Sequence, residues 1–509
     1  MIIWRNLMKN VLKRALSAAI AAVILSAVFS SFAAADDNGC HVWIGDEYIT
    51  KDNAADVFGD GTASFDPDTN TLTLNGFSYS GEGAVWTVDE KTNASAIVYD
   101  GDRDLTLVLL GDNSITHPGG HDYSSCVFSS SKITIKGTGI LTGTSGKANN
   151  VSYAVYGMKG IIIDGGTVKA YAGVSTGDSV GLYSGEELII NGGTVTAEGG
   201  AESDTSIGIY GKTGITVNGG DITAATKAGS KFAAAMLGGS ITVNSGKVTA
   251  KGGDGEYSAG SYSKGCVLIT GGDITSVGGT AKTYSDGIYA NKDFTVSGGN
   301  VTAVGGTAEE LSSGLFLAGE TAQINGGSVT LEGGEGKTSR GINETFSEKK
   351  EIRIGDGITS VTITGRELAL GGTLISAVGG VGSGEDGEEK GYIVPGTDLS
   401  EPQYKTLIFP HAHEMTKVEA KKPSTRETGN IEYYACSGCD SYFEDAAGKI
   451  LIPDKNSVLI PALGEEDVVT VPENKFPWLW VIIPAVTTAA AAAVIIVIIK
   501  KKSKTDKAV

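Results

Sequence analysis

The chain has 509 residues, 40 Lys and Arg against 59 Asp and Glu, and a formal net charge of −19. So acidic a chain is a poor partner for nucleic acid, whose phosphates must be met by Lys and Arg. Glycine makes up 74 of the residues against 11 prolines, which together with many Val, Ile and Thr speaks against disorder and for short strands joined by tight turns. Of five cysteines, Cys40, Cys126 and Cys266 are isolated and Cys436 and Cys439 form a C-x-x-C. An odd, widely spaced set is no disulfide framework, although a Cys40–Cys126 bridge stays open.

In chain order, Arg5, Lys9, Lys13 and Arg14 precede an apolar stretch from Ala18 to Phe29 and then Ala33-Ala34-Ala35. This is the pattern of a cleaved secretory signal over residues 1–35, the alternative being a retained membrane helix. Residues 36–410 are expected to form one domain, with a cap and first coils over 36–130. There Phe65-Asp66-Pro67-Asp68 turns into a strand through Leu72 and Leu74, and Leu105–Leu107 opens the coils. Asp100, Asp102 and Asp104 cluster near a turn. They are a calcium candidate through carboxylate oxygens, or simply a solvated turn. His41, His117 and His121 fall in the cap, with no Ser/His/Asp set beside them.

Regular coils are expected over 131–375. Diglycine or a close variant recurs at Gly165, Gly192, Gly219, Ser245, Gly271, Gly298 and Gly326, at spacings of 27, 27, 26, 26, 27 and 28. An alternating apolar stretch precedes each pair (Ile161/Ile163, Leu188/Ile190, Ile215/Val217) and another follows it (Val168/Ala170, Val195/Ala197, Ile222/Ala224). A third apolar patch lies about ten residues upstream, as at Leu182-Tyr183 and Ile209-Tyr210. Period-two alternation means strands with one face buried. Three strands per repeat and no helical pattern predict an all-β fold, a right-handed parallel β-helix. A propeller would need about 40 residues per blade. One coil buries roughly six small apolar side chains, on the order of 10 kcal/mol gross, less than the cost of ordering it. Coils must therefore stack.

Two columns stand out. Asp164, Asn191, Asn218, Asn244, Thr270, Ser297 and Asn325 precede the glycines and are expected to bond their own turns and the neighbouring coils. Tyr156, Tyr183, Tyr210, Tyr262, Tyr289 and Phe316 recur in register, with Leu237 on the missing rung. If Val155, Leu182, Ile209 and Ile288 point inward, alternation turns the rings outward. At about 4.8 Å per rung they would offer a stacking platform to a polysaccharide. The alternative is a ring ladder that is covered or inside the core.

The phrase around Asp66–Leu74, the segment Leu105–Asn113 and the serial coils such as Ile190-Asn191-Gly192-Gly193-Thr194-Val195-Thr196-Ala197 resemble the β-helical carbohydrate-binding surface proteins of clostridia and their relatives, over roughly residues 40–410. The resemblance implies a fold like that of pectate lyases and binding of acidic polysaccharide such as polygalacturonate, in some members with calcium. A lyase on such a scaffold needs an Arg or Lys base beside calcium-holding carboxylates. Arg103 and Arg340 are isolated, so no catalytic residue is assigned and no enzyme is expected.

A terminal loop and strand over 376–410 close the domain. Residues 411–463 change composition and resemble a short module of clostridial surface proteins that carries a His, a middle cysteine and a C-x-x-C; here the middle cysteine is Thr425. His411, His413, Cys436 and Cys439 are four donors of the kind that hold tetrahedral zinc; the alternative is a small β-module with free thiols or a local disulfide. An acidic stalk over 464–476 leads to an uncharged segment over 477–499, long enough to cross a bilayer as one helix, and to a basic tail over 500–509 expected to stay cytoplasmic. Without the four basic residues of the leader and the net +4 of the tail, the outer body carries about −27. The expectation is a single-pass surface protein that binds extracellular polysaccharide, the alternative being an adhesin or structural rod.

Overall fold

The computed structural model describes residues 39–463, apart from 345–349, 371, 385–389, 396–397 and 400–403. The leader, stalk, apolar segment and basic tail lie outside the described residues. Among the described residues no helix is long and apolar enough to cross a membrane.

The fold is all-β, a solenoid of about ten turns with near-27-residue coils. Each coil contributes one strand to a front sheet, such as Asp178–Ser184, and two strands, such as Glu187–Ile190 and Thr194–Gly199, to a second sheet folded at a corner. Every strand pairs in parallel with its equivalent one coil on: Asp178 meets Thr205, Leu188 meets Ile215 and Val195 meets Ile222. Pairing from coil to coil is what separates this fold from a propeller. The coils begin before Leu105, because Thr71–Asn75 already pairs in parallel with Leu105–Leu110, Ser78–Ser80 with Asp112–Gly119 and Lys91–Tyr99 with Tyr123–Ser129. No diglycine corner marks that first turn, so the repeat signal is silent there.

The recurring glycines explain the corners. The second residue of each pair, from Gly166 to Gly327, lies in the left-handed region with φ between 76° and 98°, where a Cβ is penalised. A Cβ at Gly193 would also stand 2.5 Å from the Gly166 carbonyl. Beside this corner the predicted polar column is bonded continuously from Asp164 to Thr270: Asn191 donates to Asp164 at 2.7 Å, Asn218 to Asn191 and Asn244 to Asn218 at 2.8 Å, and Thr270 to Asn244 at 2.9 Å.

The core is a stack of identical rungs. Ile163, Ile190, Val217 and Val243 form one column and Val168, Val195, Ile222 and Val248 another, all almost wholly buried. The front sheet lies close to its opposite wall through a column of small residues. At Gly181 a Cβ would meet the carbonyls of Ala170 and Gly208 at 2.8 Å. Val155, Leu182, Ile209 and Ile288 face this interior.

A third column was not expected. Ser179 donates to the Gly173 carbonyl and accepts from the Gly200 N–H, both at 2.6 Å. Ser285 does the same with Gly279 at 2.6 Å and Gly306 at 2.9 Å, and Ser312 with Gly306 and Gly334. Each hydroxyl joins two successive coils at the corner before the front sheet.

Antiparallel strands close both ends, blunting edges that would otherwise recruit further chains. Gly39–Ile44 pairs with Glu47–Thr50 and with the first front strand. At the far end Thr406–Phe409 pairs with Val361–Thr364, and Gly380–Ser383 with Lys390–Ile393.

The chain from Thr416, without the turn Cys436–Ser441, makes a second compact unit. Here Lys417 bonds Glu419 and Glu432 at 2.9 and 3.0 Å, Tyr433 packs on Tyr442 at 4.5 Å, and Asp454 caps the 3₁₀ turn Lys455–Val458.

Ser285→Ala leaves the partly buried Gly279 carbonyl and Gly306 N–H without this partner, a loss of roughly 1–3 kcal/mol. Thr223→Ala, on an exposed position, stays within about 0.5 kcal/mol. Chemical unfolding of the two variants side by side checks both values.

Candidate functional site

The front sheet's outward face carries the aromatic column. Tyr156, Tyr183, Tyr210, Leu237, Tyr262, Tyr289 and Phe316 are successive register partners. Neighbouring rings touch on either side of Leu237: Tyr156 and Tyr183 lie edge to face at 4.9 Å, and Tyr262 and Tyr289 stack in parallel at 4.2 Å. They belong to an apolar cluster distinct from the solenoid interior. Yet the six are only 8, 2, 7, 4, 1 and 5 % exposed in chain order. Burial holds the hydroxyls of Tyr183 and Tyr262 well above the usual phenol range.

Phe128, Tyr153, Phe232 and Tyr257 share this cluster and were not anticipated. Strict alternation hides Tyr153 and Val180, because the small residue between the paired positions, Ala154 or Gly181, is skipped in the pairing. Positions three apart, such as Val180 and Tyr183, therefore share the outer face.

One carboxylate interrupts this face. Asp286 is fully buried, with Tyr257 donating to it at 2.7 Å and Ser313 at 2.5 Å. Burial pushes its carboxyl up to about 7, against the pull of those two hydrogen bonds.

The opposite wall presents hydroxyls. Thr196, Thr223, Thr249, Thr275, Thr302 and Thr330 are register partners along the outward side of the strands after the glycine corner. All six keep solvent access. The repeated Val-Thr-Ala and Ile-Thr-Ala triplets carry this signal in the sequence.

Asp100, Asp102 and Asp104 are not brought together as a converging donor set among the described residues. Lys132 meets Asp104 at 2.7 Å, and Arg103 donates to the carbonyls of Pro67 and Asp68. Cys40 and Cys126 are separate buried thiols, and burial pushes Cys126 up to about 12.

His411, His413, Cys436 and Cys439 do converge. The two histidines follow the last solenoid strand two residues apart, and their rings lie 4.8 Å from each other. Gly379 accepts the His411 N–H at 2.9 Å, and the Tyr392 ring lies 4.6 Å from that of His413. Cys436 and Cys439 bracket a turn and are 2 and 0 % exposed. Nε2 of His411 is 3.5 Å from Cys436 Sγ and Nδ1 of His413 is 3.6 Å from Cys439 Sγ. All four donor atoms lie within 4.8 Å of one another. Burial lowers both imidazoles below their ordinary range, favouring the neutral, ligating form. It raises the Cys439 thiol to about 11, an effect that the neighbouring Cys436 reinforces and Ser441 opposes. Thr425 is exposed and is not one of the converging donors.

Comparison with protein-family models, with curated proteins and with solved structures finds no match.

Asp286 gives the fold a pH dependence. Its folded pKa is raised, so between about pH 4 and pH 7 the folded state holds a proton that the unfolded chain has lost. Stability from this group is present below pH 4 and falls as pH rises to 7, by at most about 4 kcal/mol. Asp286→Asn is expected to remove that part of the slope, read as the difference between the two proteins' unfolding free energies across the window.

Proposed function

We propose that this chain is a non-catalytic cell-surface β-helix that recognises polysaccharide along the outward rows of its coils. In this reading the helix winds right-handed, the leader is cleaved, and the apolar segment 477–499 holds the body outside the membrane. One observation carries the recognition step: the accessible threonine row from Thr196 to Thr330, one hydroxyl per coil. A rigid series of donors and acceptors about 4.8 Å apart suits a polymer of hydrogen-bonding units better than a single small molecule. The resemblance to carbohydrate-binding β-helices points the same way and suggests an acidic polymer. The body's own negative charge repels such a chain, so divalent cations are needed between the two, and calcium is the natural bridge. The rings from Tyr156 to Phe316 then brace the front sheet rather than contact sugar.

A second reading, an adhesive or structural rod, draws on those same buried rings. They stiffen the solenoid along its axis whatever it binds.

The full-length chain in detergent is expected to be retarded in gels containing polygalacturonate with calcium and released by a chelator. Thr196→Val, Thr223→Val, Thr249→Val and Thr275→Val combined keep the fold, since valine suits a strand. They weaken binding by about tenfold or more, with each lost hydrogen bond contributing about 0.5–1.5 kcal/mol. Tyr289→Ala instead lowers stability by about 3–5 kcal/mol, as for other buried aromatic truncations. Absence of retention on acidic and neutral polysaccharides alike would leave the rod reading.

A further inference from the structure

We infer that His411, His413, Cys436 and Cys439 bind one zinc ion in a closed structural site that fixes the Cys436–Cys439 turn to the chain leaving the last solenoid strand.

The geometry comes first. Zinc takes sulfur at about 2.3 Å and imidazole nitrogen at about 2.0–2.1 Å in a tetrahedron, so its nitrogen–sulfur edges are about 3.5–3.6 Å. The two such separations here are 3.5 and 3.6 Å. Each histidine already stands one tetrahedral edge from one cysteine, and the remaining donor pairs, none beyond 4.8 Å, close by at most about 1.5 Å when the ion enters.

The donor chemistry selects the metal. Two thiolates and two imidazoles are soft and borderline ligands that favour zinc over calcium or magnesium, which take oxygen. Two thiolates also neutralise a divalent cation. The occupied centre is therefore uncharged, and that is what allows it to sit where Cys436 and Cys439 are 2 and 0 % exposed. With four protein donors no coordination position remains for water or substrate, so the site is structural.

The surroundings are arranged around these donors. The Gly379 carbonyl holds the His411 backbone, Tyr392 packs on the His413 ring, and Ser441 bonds the Cys439 carbonyl at 3.0 Å. Such outer contacts orient ligands. Gly438, inside the C-x-x-C, has a specific reason to be glycine: a Cβ there would stand 2.9 Å from His411 Cε1 and 3.7 Å from Cys436 Sγ. The turn approaches the imidazole as closely as backbone allows.

The test uses the full-length chain purified under reducing conditions with zinc supplied. Elemental analysis is expected to give one zinc per chain, and Cys436→Ser, Cys439→Ser and His413→Ala to lose it. Because these variants can misfold, replacement of zinc by cobalt(II) in the unaltered protein supplies an independent readout. Intense visible d–d bands with a thiolate-to-cobalt charge-transfer band mark tetrahedral sulfur and nitrogen ligation. Gly438→Val keeps all four ligands and is expected to weaken zinc by about tenfold or more, in the range of lost outer-shell support. Chelation is expected to speed amide exchange in 404–413 and 436–441. A zinc-free chain whose Cys436 and Cys439 react freely with thiol reagents, or a Cys436–Cys439 disulfide in the reduced preparation, overturns the inference. Neither result bears on polysaccharide retention, which is measured separately.

Discussion

Everything in this molecule depends on a backbone that hydrogen-bonds to its own next turn. A single coil has too little apolar surface to offset the entropy of ordering it, and its N–H and C=O groups point along the solenoid axis. Only another coil of the same shape satisfies both needs. Identity of shape is enforced at the corners, where the left-handed residue is glycine from Gly166 to Gly327 and where Cβ atoms would strike the carbonyl one coil below. The asparagine column and the serine column make the same connection with side chains, one accessible and one buried, wherever Asn191, Asn218 and Asn244 or Ser179, Ser285 and Ser312 stand at their corners.

That constraint also decides what each wall presents. The front sheet lies close to its opposite wall because alanine and glycine line the contact, and this consumes its inner face. Its outer face carries bulk: a column of rings broken only by Leu237, beside which Asp286 is a buried polar exception held by Tyr257 and Ser313. The opposite wall carries hydroxyls with access to solvent. Stiffness on one side and a periodic polar row on the other suit a body that meets an extended polymer. The His/Cys group stands apart from both, at the point where the solenoid ends and repetition can no longer stabilise the chain, which is where a metal contributes most to order.

Much of the fold was legible because a repeat states its rule several times over. Corner glycines, core columns such as Ile190 and Val195, the Asn191–Asn218–Asn244 ladder and the register of Tyr183 with Tyr210 all follow from spacing. The serine column was not read, because Ser179 or Ser285 in isolation is an ordinary polar residue and only the folded corner places two backbone groups around it. Ring burial stood only as one of two alternatives: alternation gives direction, not cover, and the skipped position at Gly181 places Val180 and Tyr183 on one face against the simple period. The four His and Cys donors were legible as residue types and as one set. Their spacing was not, since 25 positions separate His411 from Cys436 and only the fold brings the two side chains to 3.5 Å.

The account is tested most directly by removing one period. A chain lacking residues 192–218, 27 residues, joins Asn191 to Gly219-Gly220 and sets Tyr183 beside Leu237 in unbroken register. It should retain the β spectrum and cooperative unfolding of the parent, while a chain lacking only residues 192–205 should not fold. If circular dichroism and chemical unfolding find the two deletions equally unfolded, the coils are not interchangeable stacked units and the solenoid account is wrong.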